Sequence, residues 1–297
     1  MADLLFKKAR FWKRAFDSNS AIICELCPRQ CHIEDGKSGF CAVRKNISGN
    51  LYSLVYGYPV ALQVDPIEKK PFSMFMPSTF TFSIGTYGCN LDCSFCQNFH
   101  LSRGIPSDDE PKTPQLSPSE IIKKALSAGC KSIAFTYNEP TIWAEYAIDI
   151  ALEARKHKLP VVLVSNGFIS KSGMEEFYPL IDAANIDMKG FSEEFYKTMT
   201  KGKLQSVLDS IKYLYKLGKH IEITNLVIPG KNDSEENTRL FLDWVEMELD
   251  KNVPLHFSAY FPTYKYFDSP RTPRETLLRI KEYARSRNFP NVFLGNI

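Results

Sequence analysis

The chain has 297 residues, 44% hydrophobic and 24% charged, with a net charge of +3. That is enough apolar material for one large α/β domain plus a small appendage, and too little positive charge to indicate a nucleic-acid partner. No apolar run approaches the ~20 residues a membrane-spanning helix needs, and the eight cysteines form tight clusters without a secretory signal, which reads as metal ligation in the reducing cytoplasm and not as a disulfide framework.

Residues 1–20 interleave Leu4, Leu5, Phe6, Phe11, Trp12 and Phe16 with five basic residues. That is too much charge for the apolar core of a signal peptide, and the expected form is a terminal helix docking its apolar side on the domain. Residues 21–49 carry Cys24, Cys27, Cys31 and Cys41, spaced x2, x3 and x9, with Gly36 and Gly39 allowing tight turns. Little apolar content lies between them, so this segment is expected to fold around a metal. Four thiolates satisfy either zinc or a second [4Fe–4S] cluster, and spacing does not separate the two. Residues 50–81 read as a strand-rich connector, partly alternating over 51–58, apolar over 60–64, with a charged turn over 65–71.

From residue 82 to 297, apolar runs at 82–86, 133–137, 161–165, 184–188, 221–227, 255–259 and 292–294 alternate with helical patterns. Ser117-Pro-Ser-Glu120 is a capping box with Pro118 at the first helical position; Thr272-Pro-Arg-Glu275 repeats it, and Asp233-Ser-Glu-Glu236 is a weaker version. Continuous apolar strands alternating with helices predict an α/β fold with a parallel sheet, and about six such units predict a partial (β/α)6 barrel with a small N-terminal Cys-rich metal-bound appendage. Cys130 stands alone and reads as a buried small hydrophobe. The aromatic stretch around Phe257, Tyr260, Phe261, Tyr264, Tyr266 and Phe267 reads first as packing, with a substrate-facing wall as the sharper alternative.

Cys89, Cys93 and Cys96 occupy the loop after the first of these strands, spaced x3 and x2, with Phe95 before the last and no fourth cysteine. Three thiolates hold three corners of a [4Fe–4S] cube and leave the fourth iron open, where a structural site would close its shell. Zinc binding or simple burial of these thiols is the plainer alternative. In barrels of this kind the active site gathers at the C-terminal ends of the strands. Here those ends carry Glu139, Ser165, Asp187 and Lys189, and the late strand carries His256.

The motif Cys89-x3-Cys93-x-Phe95-Cys96 resembles the signature of the radical S-adenosylmethionine (SAM) superfamily. The resemblance implies that the open iron is chelated by the amino and carboxylate groups of SAM, and that SAM is cleaved reductively to methionine and a 5′-deoxyadenosyl radical. Further motifs are similar to those of the glycyl-radical-enzyme activases, typified by pyruvate formate-lyase activating enzyme: Cys96-Gln-Asn98, Glu139, Ser165-Asn166-Gly167, Asp187-Met-Lys189, Ile228-Pro229-Gly230 and His256. Within that group, Cys24-x2-Cys27-Pro-Arg-x-Cys31, Asp65-Pro-Ile-Glu-Lys-Lys70, Tyr137-Asn-Glu-Pro140 and Leu294-Gly-Asn296 resemble the radical SAM protein of the AmmeMemoRadiSam system. The resemblance implies Glu139 at the SAM ammonium, Asp187 and Lys189 at the ribose or the methionyl carboxylate, and Ser165 and His256 hydrogen-bonding the same ligand. It also implies an external one-electron donor of flavodoxin or ferredoxin type and a protein substrate, with modification of a small molecule, RNA or another peptide as the alternative. The rival of another class is a zinc-stabilised scaffold without redox activity. Two departures stand out: the activases have Gly-Gly-Glu where this chain has Tyr137-Asn138-Glu139, and relatives of this branch tend to continue into a short cysteine-containing tail past the position of Ile297.

Overall fold

The computed structural model describes residues 6–16, 20–104 and 113–297. In its first part the strands β1 (Lys7–Lys8), β2 (Trp12–Arg14), β3 (Ile22–Cys24), β4 (His32–Ile33), β5 (Arg44–Ile47) and β6 (Asn50–Ser53) form two antiparallel three-stranded sheets, β1-β6-β5 and β2-β3-β4. The expected terminal helix is therefore corrected: residues 1–5 and 17–19 lie outside the described residues, and the remainder runs as β1 and β2. The helical spacing of Ala9, Trp12 and Phe16 is a local pattern only, and tertiary pairing overrides it. The Cys-rich segment and the connector supply the ladder partners, with Lys13 opposite Ile23 and Lys8 opposite Tyr52. Phe11, at φ +57°, takes the left-handed conformation just before β2, between the two strands.

A buried ion pair clamps this part onto the rest. Arg44 donates to both carboxylate oxygens of Glu145 at 2.8 and 3.0 Å, and the Arg10 amide donates to the same carboxylate at 2.7 Å. Ile22, Ile33, Val43 and Leu51 join one continuous apolar core with Phe135, Trp143 and Ile150.

The main sheet comprises β7 (Ala61–Pro66), β8 (Phe80–Gly85), β9 (Ser132–Phe135), β10 (Val161–Ser165), β11 (Ala183–Asp187), β12 (His220–Val227), β13 (Leu255–Ala259) and β14 (Val292–Gly295). Its spatial order is the sequence order reversed, from β14 at one edge to β7 at the other. The strands from β8 to β14 are mutually parallel, and β7 pairs antiparallel with β8. The α/β expectation stands, with seven parallel strands where six units were expected, and the connector contributes β7 to the sheet itself. The sheet is open, since β7 and β14 do not pair.

Helices α1 (Phe99–Ser102), α2 (Pro118–Ser127), α3 (Ala144–Lys156), α4 (Lys171–Phe177), α5 (Glu193–Phe195), α6 (Leu204–Lys216), α7 (Glu235–Glu248) and α8 (Arg274–Ser286) occupy the crossovers. The capping box at Ser117 forms as expected, and Ser234 caps α7 by accepting from the Asn237 amide. The box at Thr272 does not form. Its hydroxyl accepts from the Tyr260 amide at 2.8 Å and donates to the Val227 carbonyl at 2.6 Å, so two tertiary bonds displace the local one.

Residues 67–76 close the lumen beneath the strand ends. Phe72 is fully buried with Ile67, Ala134, Val162 and Ala183, and the amides of Ser73 and Met74 donate to Glu222 at 3.0 and 2.9 Å. Asn185 donates to the Pro71 carbonyl at 2.8 Å. The charged turn of the sequence is the stem of this floor: buried Lys70 pairs with Asp65 at 2.8 Å.

Candidate active site

The loop Cys89–Cys96 leaves the C-terminal end of β8 and would be floppy without partners. Buried Asn138 supplies them. Its amide nitrogen donates to Thr86 Oγ1, the Tyr87 carbonyl and the Gly88 carbonyl at 3.1, 3.1 and 2.9 Å. Its oxygen accepts from the Thr86 amide at 3.0 Å and from Trp143 Nε1 at 3.2 Å. Farther along, the amides of Asp92 and Ser94 donate to the carbonyls of Thr200 and Met199, each at 2.9 Å. Arg103 donates to the carbonyls of Cys89 and Leu91. These bonds fix the loop so that Cys89, Cys93 and Cys96 face one cavity of about 520 Å³.

Across that cavity stand the strand-end residues Glu139, Ser165, Asp187 and Lys189. Glu139 follows β9 and is 3% exposed. Its carboxylate accepts from Ser165 Oγ and the Asn166 amide, both at 2.8 Å, and from the Thr141 amide at 2.9 Å. Burial still raises its pKa above the ordinary value, against the pull of those donors. Asp187 and Lys189 form an ion pair at 2.8 Å. Burial pulls the Lys189 pKa down, but Asp187 and the neighbouring Cys93 outweigh it and hold the ammonium above its usual range. Burial pushes the Cys93 thiol up to about 12; it also raises Cys89, with the Glu139 charge adding to the effect. A metal entering here must displace protons from these thiols.

Tyr137 occupies the position where the activases have the first glycine of Gly-Gly-Glu, and it keeps a glycine-like backbone at φ +71°. Such a conformation is strained for a bulky residue. Three contacts hold it: its hydroxyl donates to Asp65 at 2.6 Å, its carbonyl accepts from Asn98 at 2.8 Å, and Lys70 lies 4.3 Å over its ring.

His256 stands apart from these residues. It does not line the cavity; its Nε2 bonds Glu222 at 2.5 Å and its ring stacks on Phe293. Alternate residues of a strand share a face but differ in height by ~6–7 Å, so Ser258, two residues on, reaches the cavity while His256 sits one layer below with the floor. Ser165 faces the cavity with its hydroxyl already engaged, donating to Glu139 and accepting from the Gly167 amide. Asn138, the loop staple, and Arg29, a clamp, stood in quoted motifs without a role, and Arg103, the other clamp, stood in none. Asn98 stood in a quoted motif without a role. Phe257, Tyr260 and Tyr266 are core, whereas Tyr264 stacks on Phe99 at 4.8 Å beside the cysteine loop. Cys130 is buried, as expected. A larger groove of about 760 Å³ between α7 and α8 contains no cysteine.

The family model of the radical SAM superfamily matches residues 83–242. An uncharacterized protein of Methanocaldococcus jannaschii, MJ0808, is 38% identical over 291 residues, covering 98% of this chain and 85% of its own. The pyruvate formate-lyase-activating enzyme of Clostridium pasteurianum is 26% identical over 220 residues, covering 67% of this chain and 87% of that enzyme. Among solved structures, SuiB of Streptococcus suis bound to S-adenosylmethionine shares the fold with a TM-score of 0.55 at 16% identity, covering 71% of this chain and 48% of that one.

Proposed function

This chain belongs to the radical SAM superfamily, and from that premise we propose that it generates a 5′-deoxyadenosyl radical for hydrogen abstraction from a polypeptide, as a pyruvate formate-lyase activating enzyme does. The observation that carries this reading is the convergence of Cys89, Cys93 and Cys96 with Glu139, Asp187 and Lys189 on one cavity. The family implies a [4Fe–4S] cluster and SAM, and the residues fit them. Three soft thiolates face the cavity with no fourth cysteine in its wall, which suits a cluster with one open corner. When bound, this cluster supplies the electron that cleaves SAM to methionine and the 5′-deoxyadenosyl radical.

The chain's own residues bind and orient. Glu139, fixed by Ser165 and two backbone amides, accepts from the SAM ammonium in a charge-assisted bond; Ser165 acts through Glu139. Lys189 meets the methionyl carboxylate, and Asp187 accepts from the ribose hydroxyls. Asn138, Arg29 and Arg103 keep the cysteine loop in place. A polypeptide substrate suits this site because the sheet is open and its free edge β14 reaches the cavity at Gly295, with Asn296 following, so there is room for a loop of backbone above the floor residues Glu68, Lys69 and Pro71. The electron comes from a flavodoxin- or ferredoxin-type carrier, and the working compartment is the cytoplasm; among the described residues no helix is long and apolar enough to cross a membrane.

The test is anaerobic reconstitution with iron and sulfide, then dithionite and SAM, with chromatography for 5′-deoxyadenosine. Deuterium carried into that product from an α-deuterated glycine in a candidate glycyl-radical protein supports the polypeptide reading. A zinc-only protein prepared without air, yielding no 5′-deoxyadenosine, overturns the enzyme.

A further inference from the structure

One three-residue turn joins the cysteine loop to Glu139, apart from the small N-terminal cavity that Cys24, Cys27, Cys31 and Cys41 line together. The Asn138 amide donates to the Thr136 carbonyl at 3.0 Å, with Tyr137 between them at φ +71°. A turn of this size with a positive central φ is the rare, strained form, and glycine is the residue that adopts it without steric cost. Everything this turn carries belongs to the site. The Tyr137 carbonyl accepts from Asn98 at 2.8 Å, just past Cys96, and so holds the exit of the loop. Asn138 holds its entrance through Thr86, Tyr87 and Gly88. Glu139 follows at once and stands in the cavity wall.

The strained residue is tied down from outside the turn. Its hydroxyl donates to Asp65 at 2.6 Å, and Asp65 is buried. Burial alone would raise the Asp65 pKa, but Lys70, the Tyr137 hydroxyl and Lys69 hold it well below the ordinary value. The acceptor is therefore a carboxylate, and the bond is charge-assisted. Asp65 belongs to β7, so the tether crosses β8 to the antiparallel edge strand of the sheet. Gly85, the last residue of β8, leaves the tyrosine its seat. A Cβ there would come within 2.9 Å of the Thr136 carbonyl oxygen and 3.0 Å of Tyr137 Cβ.

We infer that Tyr137 is a positioning residue: its bond to Asp65 holds a glycine-like turn in place at a non-glycine, aiming Glu139 at the SAM ammonium and fixing both ends of the cysteine loop. The phenol achieves by anchoring what glycine achieves by freedom of backbone. Its effect on SAM rests on the proposed function; its hold on the loop does not.

The experiment uses the full chain, reconstituted anaerobically with iron and sulfide, and compares Tyr137→Phe with Tyr137→Gly. Equilibrium binding of SAM, iron content and the urea midpoint are read. The Tyr137→Phe variant keeps the bulk and the strain but loses the anchor, so it should bind SAM about tenfold more weakly and retain less iron. The Tyr137→Gly variant loses the anchor but also the strain. Its SAM affinity should stay within about threefold of the parent, with parental iron, even where its urea midpoint falls. A tyrosine that merely packs gives the reverse order, because Tyr137→Phe preserves the ring and Tyr137→Gly leaves a void. Asp65→Asn should weaken SAM binding in the parent and leave it unchanged in the Tyr137→Gly background; equal losses in both overturn the tether. Parental affinity and iron in Tyr137→Phe, or a Tyr137→Gly variant that binds more weakly than Tyr137→Phe, overturns the inference. A parent that holds iron but binds no SAM overturns the proposed function alone, and the iron contents of the two variants then decide the role of Tyr137.

Discussion

Asn138→Ala removes one side chain that holds both the end of β8 and the start of the cysteine loop. Five hydrogen bonds disappear, all of 2.9–3.2 Å. Two of the abandoned partners are N–H donors, the Thr86 amide and the indole of Trp143, and the Thr86 and Trp143 residues are fully buried. A buried donor left unsatisfied costs ~1–3 kcal/mol. The two carbonyls released nearer the cavity rehydrate at smaller cost, so the sum comes to about 3 kcal/mol. For a chain of this length that lowers the urea midpoint by roughly 1 M, taking a slope near ~3 kcal/mol/M. The loop should also lose its hold on metal, so reconstituted iron should fall alongside stability. Asn138→Asp keeps the acceptor but turns a second oxygen on the Tyr87 and Gly88 carbonyls, and should cost at least as much as the alanine. An alanine variant with parental midpoint and parental iron content refutes the staple.

Cys93→Ala should abolish 5′-deoxyadenosine formation and remove the irons of the catalytic site while circular dichroism stays unchanged; retained cleavage of SAM contradicts the assignment. His256→Ala should destabilise the fold by roughly 2 kcal/mol through its lost bond to Glu222 and leave SAM affinity within about twofold, as read by equilibrium binding; a large loss of affinity at unchanged stability reverses the placement of His256. Acid should unfold the chain partly through Glu222: burial alone would raise its pKa, but His220, His256 and the Ser73 and Met74 amides lower it from 4.5 to about 2. Above about pH 4.5 that carboxylate contributes about 3 kcal/mol, which is lost as pH falls toward 2, so Glu222→Gln should flatten the acid limb of a stability–pH curve.

The cysteine loop, Glu139, Asp187 and Lys189 were legible because their chemistry is local: spacing and strand-end position bring them together once the sheet is recognised. Asn138 was written beside Glu139 in the same motif, but its partners are 50 to 52 residues earlier in the chain, and nothing in its neighbours announces a staple. His256 illustrates a different limit on what a local pattern encodes. Its strand and its inward face were readable, but depth along a strand depends on register with the others, which a single strand does not encode. The N-terminal helix failed because its rivals were ladder bonds from residues 22–24 and 52–53, invisible to a local pattern. Thr272 lost its capping role to partners 12 and 45 residues away in sequence.

The floor laid by residues 67–76 decides how a polymer can visit this molecule. With Phe72 sealed in the lumen, no chain threads the barrel from end to end. On the proposed reading, a polypeptide therefore comes in and goes out on the same side, bent back on itself, and the residue that gets deepest is the one at its hairpin tip. A tip without a side chain goes deepest of all, which favours glycine there by shape before any chemistry distinguishes it.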